Sequence, residues 1–168
     1  MSSSFETIVS ITKAIAPDAQ RIEHMGDLTM VVGREHFIDV LTELRDNPAT
    51  DFNMLVDVTA VDKQTSPDRY DVVYILLSLT HSHRVRIKVG VRDDNMELPT
   101  VVGLWESANW YEREAYDMYG IVFSGHPDLR RFYMPEDFMD ADGTQLYPLR
   151  KDFPLMGIPG SLPLPAKD

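Results

Sequence analysis

Residues 84–92 alternate strictly, with Val85, Ile87, Val89 and Val91 on one side and Arg84, Arg86, Lys88 and Arg92 on the other. Successive strand side chains point to opposite faces, so this stretch is expected to be a half-exposed antiparallel strand. Its neighbours must supply the rest of a sheet. Residues 52–61 and 70–79 are rich in β-branched, aromatic and aliphatic side chains and flank a loop at 65–68 holding Ser66 and Pro67, which marks two strands joined as a hairpin. A shorter strand is expected at 28–32, after a turn around Gly26 and Asp27.

Helical spacing appears at three places. Phe5, Ile8, Ile11, Ala14 and Ile15 form one apolar face before Pro17, and Phe37, Ile38, Leu41 and Leu44 form another within 34–45, before Pro48. From Pro99 the pattern turns helical again and ends at Gly120, a residue suited to the left-handed conformation that closes helices. The fold class is therefore α+β: a mixed or antiparallel sheet packed with helices, forming one globular domain over residues 1–132.

The remainder is of another kind. Six of the eleven prolines (Pro135, Pro148, Pro154, Pro159, Pro163 and Pro165) lie beyond Tyr133, where neither period is sustained. Residues 133–168 are read as an extended proline-rich C-terminal arm that is either disordered or laid across another protein. Tyr147 and Phe153 stand beside Arg150 and Lys151 there, residue types that concentrate binding energy at interfaces. A chain stopped after Tyr133 is expected to keep its core.

Composition excludes several functions. A net charge of −11 argues against binding a phosphate backbone, which needs clustered Lys and Arg. Without cysteine there is no disulfide framework and no thiolate for an iron-sulfur cluster. Neither GxGxxG nor GxxxxGK[ST] occurs, so a nucleotide is not expected to bind. The first residues, MSSSFETIV, do not resemble an export leader, and no apolar run approaches the roughly 18 residues of a bilayer span. The chain is expected on the cytosolic side, meeting a membrane only through partners.

The densest polar cluster is residues 110–120. On a helix Arg113 and Asp117 stand four apart and can pair, while Tyr111, Ala115, Met118 and Tyr119 line another face. This is either a solvated charged face or, given Trp105, Trp110, Tyr111, Tyr116 and Tyr119 around it, a buried ion network at an interface. Glu112 and Glu114, two apart, do not face each other and make a poor acid and base pair. His81 and His83 have ligand spacing for a strand but fall at a turn with no third ligand nearby, and His126 before Pro127 fits a loop anchor or a proton carrier. The cations of 84–92 are a solvated sheet face or a dock for an acidic neighbour.

Glu112-Arg113-Glu114, then Asp117-Met118-Tyr119-Gly120-Ile121, then His126-Pro127-Asp128-Leu129-Arg130-Arg131 resembles the hallmark segment of the thirty-kilodalton subunit family of respiratory complex I, known in bacteria as the C subunit. Leu55-Val56-Asp57-Val58-Thr59-Ala60-Val61-Asp62 extends the resemblance upstream, and Tyr147-Pro148-Leu149-Arg150-Lys151-Asp152-Phe153-Pro154 downstream. Phe132 departs from it where an aliphatic residue is usual, and 140–144 lengthens the loop before Tyr147. The resemblance implies a structural subunit of the peripheral arm of a proton-translocating NADH-quinone oxidoreductase. It implies no catalytic centre, cofactor or metal in this chain, with FMN and iron-sulfur clusters in partner subunits. It also implies packing against other peripheral-arm subunits, especially the one forming the quinone pocket, at the cytoplasmic face of the bacterial inner membrane. A metal-dependent hydrolase built on Glu112, Glu114, Asp117 and His126 is the rival reading. A scaffold in a relative of complex I with another electron donor is a third.

Overall fold

Two hairpins and a late central strand build the main sheet of the computed structural model, which describes residues 2–64, 67–140 and 142–154. The first hairpin joins β1 (Gln20–His24) to β2 (Asp27–Val32), and the second joins β3 (Met54–Asp62) to β4 (Tyr70–Ser78). β5 (His83–Val91) enters between them, giving the order β1-β2-β5-β4-β3. The alternating strand is thus the centre of the sheet, antiparallel to β4 but parallel to β2. That second pairing makes the sheet mixed, as the fold class allows, although residues 84–92 by themselves read as an antiparallel strand. The chain between β2 and β5 carries α2 (Phe37–Asp46) and the second hairpin, which is the long crossover a parallel pair needs.

The two faces of the sheet differ as the alternation requires. Val85, Ile87, Val89 and Val91 are buried, whereas Arg84 is exposed and Arg86 and Lys88 are half-buried on the other side. α1 (Ser2–Ile15), α2 and α3 (Ala108–Tyr119) all sit on the apolar face. Phe37 of α2 stacks on Tyr74 at 5.8 Å, Tyr119 of α3 meets Tyr70 edge-on at 6.3 Å, and Glu6 of α1 pairs with Arg21 of β1 at 2.8 Å. Ile8, Leu41, Leu44, Met30, Ile87 and Tyr74 are fully buried between these layers. Each aliphatic side chain among them contributes about 1.5–3 kcal/mol of burial energy.

Several boundaries differ from expectation for local reasons. β1 has a single aliphatic residue, Ile22, and all five of its residues are exposed, so no pattern announces it. Its turn to β2 places both Met25 (φ 51) and Gly26 (φ 85) in the left-handed region, the geometry of a two-residue hairpin. The helix expected from Pro99 begins only at Ala108. Pro99 ends β6 (Glu97–Pro99), which pairs in parallel with β7 (Val122–Ser124), and turns closed on the Val101 carbonyl by Leu104 and Trp105 fill the interval. α3 stops where expected, with Gly120 at φ 79 and its N–H on the Tyr116 carbonyl at 2.8 Å.

The described residues 133–140 and 142–154 form no helix or strand, and they are laid across the chain's own body. Pro159, Pro163 and Pro165 of the expected arm, and Ser66 of the hairpin loop, lie outside the described residues.

Candidate functional site

α3 presents its polar residues inward. Glu112, Arg113 and Asp117 are all buried, and the segment after β7 packs over them. Buried charges need specific partners, because transfer from water costs several kcal/mol when nothing replaces the solvent.

Arg113 does not pair with Asp117, contrary to the i, i+4 expectation. Its guanidinium, 3% exposed, lies between the rings of Trp110 (4.7 Å) and Phe132 (5.0 Å). Its Nε donates to the Arg130 carbonyl at 3.2 Å, and Asp128 Oδ2 stands 3.9 Å from Nη1. Asp117 is held elsewhere because a stronger set of donors reaches it. Its Oδ2 accepts the backbone N–H groups of Phe132, Tyr133 and Met134 at 3.2, 2.8 and 2.9 Å, and its Oδ1 faces Arg131 Nη1 at 3.3 Å. Three consecutive N–H groups on one carboxylate fix the first residues of the arm to the helix.

Arg131 carries the connection onward, donating to the Gln145 side chain and to the Leu146 carbonyl at 3.0 Å while its guanidinium lies 5.1 Å from the Tyr147 ring. Arg150 stacks on the same ring at 4.2 Å and donates from Nε to the Tyr119 carbonyl at 2.6 Å; Leu149 N–H donates to the Met118 carbonyl at 3.2 Å. The last carbonyls of α3, which no helical N–H can reach, are therefore capped by the arm. The arginine also places a cation at the negative end of the helix dipole. Gly120 makes this approach possible, since a Cβ there would lie 2.6 Å from both Tyr147 Cζ and Arg150 Nη2.

Asp62 at the end of β3 makes the next attachment. It accepts Lys151 N–H at 2.8 Å together with Arg69 Nη2 at 2.8 Å and Gln64 N–H at 2.8 Å. Arg69 first, and then these backbone donors, bring its carboxyl down to about 2. Arg69 also reaches Asp152 at 2.8 Å, and Phe153 stacks on Phe138 at 6.2 Å.

Glu112 is different, because it is buried almost without counter-charge. Its Oε1 accepts Val101 N–H at 2.7 Å and its Oε2 bonds Thr100 Oγ1 at 2.5 Å. Among the described residues its only ion-pair contact is His126 Nε2, 4.0 Å away. That ring is already committed. Asp128 N–H donates to Nδ1 at 3.0 Å, so Nε2 carries the hydrogen and donates to the Asn109 carbonyl at 3.1 Å. His126 is a loop anchor, and burial pushes the Glu112 carboxyl up to about 7 against its two hydrogen bonds.

The other candidates fall outside this clamp. Glu114 is half-buried on another side of α3, Arg130 is exposed and pairs with Asp128 at 3.0 Å, and Met118 and Tyr119 are packed in the core. His81 and His83 stack at 5.4 Å at the β4–β5 turn, with His81 Nε2 on the Pro48 carbonyl at 3.0 Å. Among the described residues no three His, Asp or Glu converge as a metal site; of the hydrolase set, Glu112 and His126 come within 4.0 Å, while Asp117 is engaged by residues 131–134 and Glu114 lies on another side of α3. Asp62, Arg69, Thr100 and Gln145 were not singled out in the sequence, because each acts on a residue far along the chain and no spacing rule links them.

The sequence profile described as respiratory-chain NADH dehydrogenase, 30 kDa subunit, matches residues 30–159, which include the whole clamp. The chain belongs to that family. The C subunit of NADH-quinone oxidoreductase from Hyphomonas neptunium is 45% identical over 143 residues, covering 84% of this chain and 67% of the relative. Its Methylobacterium sp. counterpart is 48% identical over 138 residues, with the chain spanning only 61% of its length, and the Roseiflexus sp. counterpart is 43% identical with 83% spanned. Two solved structures share the fold of this family member. A trypsin-resistant fragment of Nqo5 has a TM-score of 0.64 at 38% identity and covers 75% of this chain and 99% of the fragment. A chain of the membrane-bound sulfane sulfur reductase, an archaeal respiratory membrane complex, has a TM-score of 0.71 at 26% identity and covers 90% of this chain and 86% of its own. α1 and β1 precede the profile match, so the family pattern begins at the sheet's second strand.

Proposed function

We propose that this chain is a cofactor-free structural subunit of the peripheral arm of a proton-translocating NADH-quinone oxidoreductase. Electron transfer from NADH to quinone, and the FMN and iron-sulfur clusters that serve it, belong to partner subunits in this reading. The observation that carries it is the use made of the family residues: Arg113, Asp117, Arg131 and Arg150 spend their charges fastening the arm to the body.

The body of residues 1–132 and the arm of residues 133–168 then divide the work. The body supplies a rigid platform, and the arm meets the partner, foremost the subunit that helps form the quinone pocket. Leu149 and Lys151, which point outward from the clamp, are the arm residues offered to it, whereas Tyr147 and Arg150 face the body. Placement at the cytoplasmic face of a bacterial inner membrane follows from that partnership, in keeping with the absence, among the described residues, of a helix long and apolar enough to cross a membrane.

A tagged chain isolated from its own cells is expected to bring with it an assembly that oxidises NADH and reduces quinone. The chain alone is expected to be colourless and free of paramagnetic signal. A stoichiometric flavin or cluster in the isolated chain overturns the reading. The same scaffold in a related complex with another donor is favoured by one observation, the fold shared with the sulfane sulfur reductase. Failure of the isolated assembly to oxidise NADH would select it.

A further inference from the structure

The layer of helices covers one face of the five-stranded sheet and leaves the opposite face without a layer of its own among the described residues. Solvated sheet faces are ordinarily polar. Here β4 contributes half-buried Ile75 and Leu77 beside buried Val73 on the uncovered side, β2 contributes half-buried Val31, and Ile22 of β1 is 46% exposed. Between these two apolar rails runs the central strand with Arg84, Arg86 and Lys88 in a row. Those cations belong to a chain of net charge −11.

The local carboxylates answer this row only in part. Arg86 pairs with Asp27 at 2.6 Å, Lys88 reaches Asp71 only at 3.8 Å and shares it with Lys63, and Arg84 makes no ion pair among the described residues. Beyond Lys88 the row ends at Gly90, where the Asp68 carboxylate lies 3.1 Å from the place a Cβ would take, beside a polar basin of about 420 Å³ whose border includes Asp18, Glu35, Lys63, Asp68, Asp71 and Arg92. The cationic part of the face is therefore the row Arg84, Arg86 and Lys88 between apolar walls, and it ends at that basin.

We propose that this face docks an acidic amphipathic helix of a partner protein, lying along β5. The spacing fits that occupant. Strand residues two apart repeat at about 6.8 Å, and helix residues four apart repeat at about 6 Å, so carboxylates at i, i+4 and i+8 fall opposite Arg84, Arg86 and Lys88. Apolar side chains flanking that acidic line meet the two rails, and the helix stops short of the carboxylates around Gly90. The cations would be desolvated only together with their partners, which makes the dock selective against neutral or basic helices. The inference rests on the reading of this chain as an assembly subunit, and it adds a second contact surface on the side of the sheet away from the clamp.

The absence of cysteine gives a direct test. A single Arg84→Cys chain is purified alone and also within the assembly from its own cells, and the rate of maleimide labelling is compared. At least ten-fold protection in the assembly is expected, and cross-linking from the same position is expected to capture a helical peptide carrying carboxylates at four-residue intervals. An unchanged labelling rate, capture of a second copy of this chain, or capture of a non-acidic surface overturns the proposal. A second variant, Arg84→Glu with Lys88→Glu, is expected to melt like the wild type yet enter the assembly at least ten-fold less. Incorporation at the normal level also overturns it, and a thiol at position 84 that is protected decides the matter if the charge-reversed chain does not fold. If the wild-type chain joins no NADH-oxidising assembly, the functional reading fails; if it joins one with position 84 still reactive, only the dock fails.

Discussion

Replacing Glu112 by glutamine is expected to stabilise this protein at alkaline pH and to leave it little changed at acid pH. Burial lifts the carboxyl from 4.5 to about 7, and the side chain is fully enclosed, so no solvent screening reduces the effect. The unfolded chain releases the proton near 4.5 while the fold holds it to about 7. Between those values the fold binds more protons, so stability falls as pH rises, and the loss is complete above about 7. At about 1.4 kcal/mol per unit, the full loss is about 3 kcal/mol. Glutamine keeps the geometry, its carbonyl accepting from Val101 N–H and its amide donating to Thr100 Oγ1, and carries no charge to desolvate. Urea unfolding followed by the fluorescence of buried Trp105 measures both proteins from pH 5 to pH 8. The gap between them is expected to shift by about 3 kcal/mol towards the variant. Other titrating groups are common to both chains and cancel. Parallel profiles would falsify the reasoning, because they would mean that the fold holds Glu112 ionised throughout.

Four further outcomes follow from the clamp. Asp117→Asn leaves Arg131 buried without its anion and is expected to cost about 3–5 kcal/mol in thermal or urea unfolding; an unchanged melt would mean that the contact is replaceable. Asp62, held at about 2 against an ordinary 3.8, contributes stability that is present above 3.8 and lost as pH falls towards 2. Asp62→Asn should therefore flatten the acid limb of the stability curve and lower stability near neutrality by about 2 kcal/mol; a superimposable acid limb refutes this. Gly120→Ala forces a Cβ into Tyr147 at a left-handed φ, and trypsin is expected to cut after Arg150 and Lys151 sooner than in the wild type. Truncation after Tyr133 strips the cap from α3, so the chain is expected to melt cooperatively at a lower midpoint than the full chain; equal midpoints would show the arm to be thermodynamically separate.

Much of the sheet was legible because its signals are local. β5 carries its burial pattern in its own alternation, and the β3–β4 hairpin in two β-rich runs around a loop. The parallel pairing of β2 with β5 was not, since register between distant strands leaves no mark on either. The residues of the clamp were legible as a family pattern, but their partners were not. Arg113 and Asp117 stand at ideal helical spacing, yet each finds a better partner after β7: the Phe132 ring and the Arg130 carbonyl for the guanidinium, three backbone N–H groups for the carboxylate. Proline content and the lost periodicity marked the region beyond Tyr133 as unlike the body. They said nothing of the uncapped carbonyls at Met118 and Tyr119 that draw residues 149 and 150 onto the body.

The position of β5 also sets the order in which the sheet can close. Both hairpins form from neighbouring segments, but each has its open edge on the slot that β5 fills, so neither gains its second neighbour until residues 83–91 exist. During synthesis at about 5–20 residues per second, the ribosome holds the first hairpin waiting for seconds before its partner strand leaves the tunnel. For that interval β2 presents an unpaired edge of high β propensity, the kind that pairs wrongly with other chains. The acidic character of the chain, spread over segments made both before and after β5, keeps such nascent edges apart through mutual repulsion.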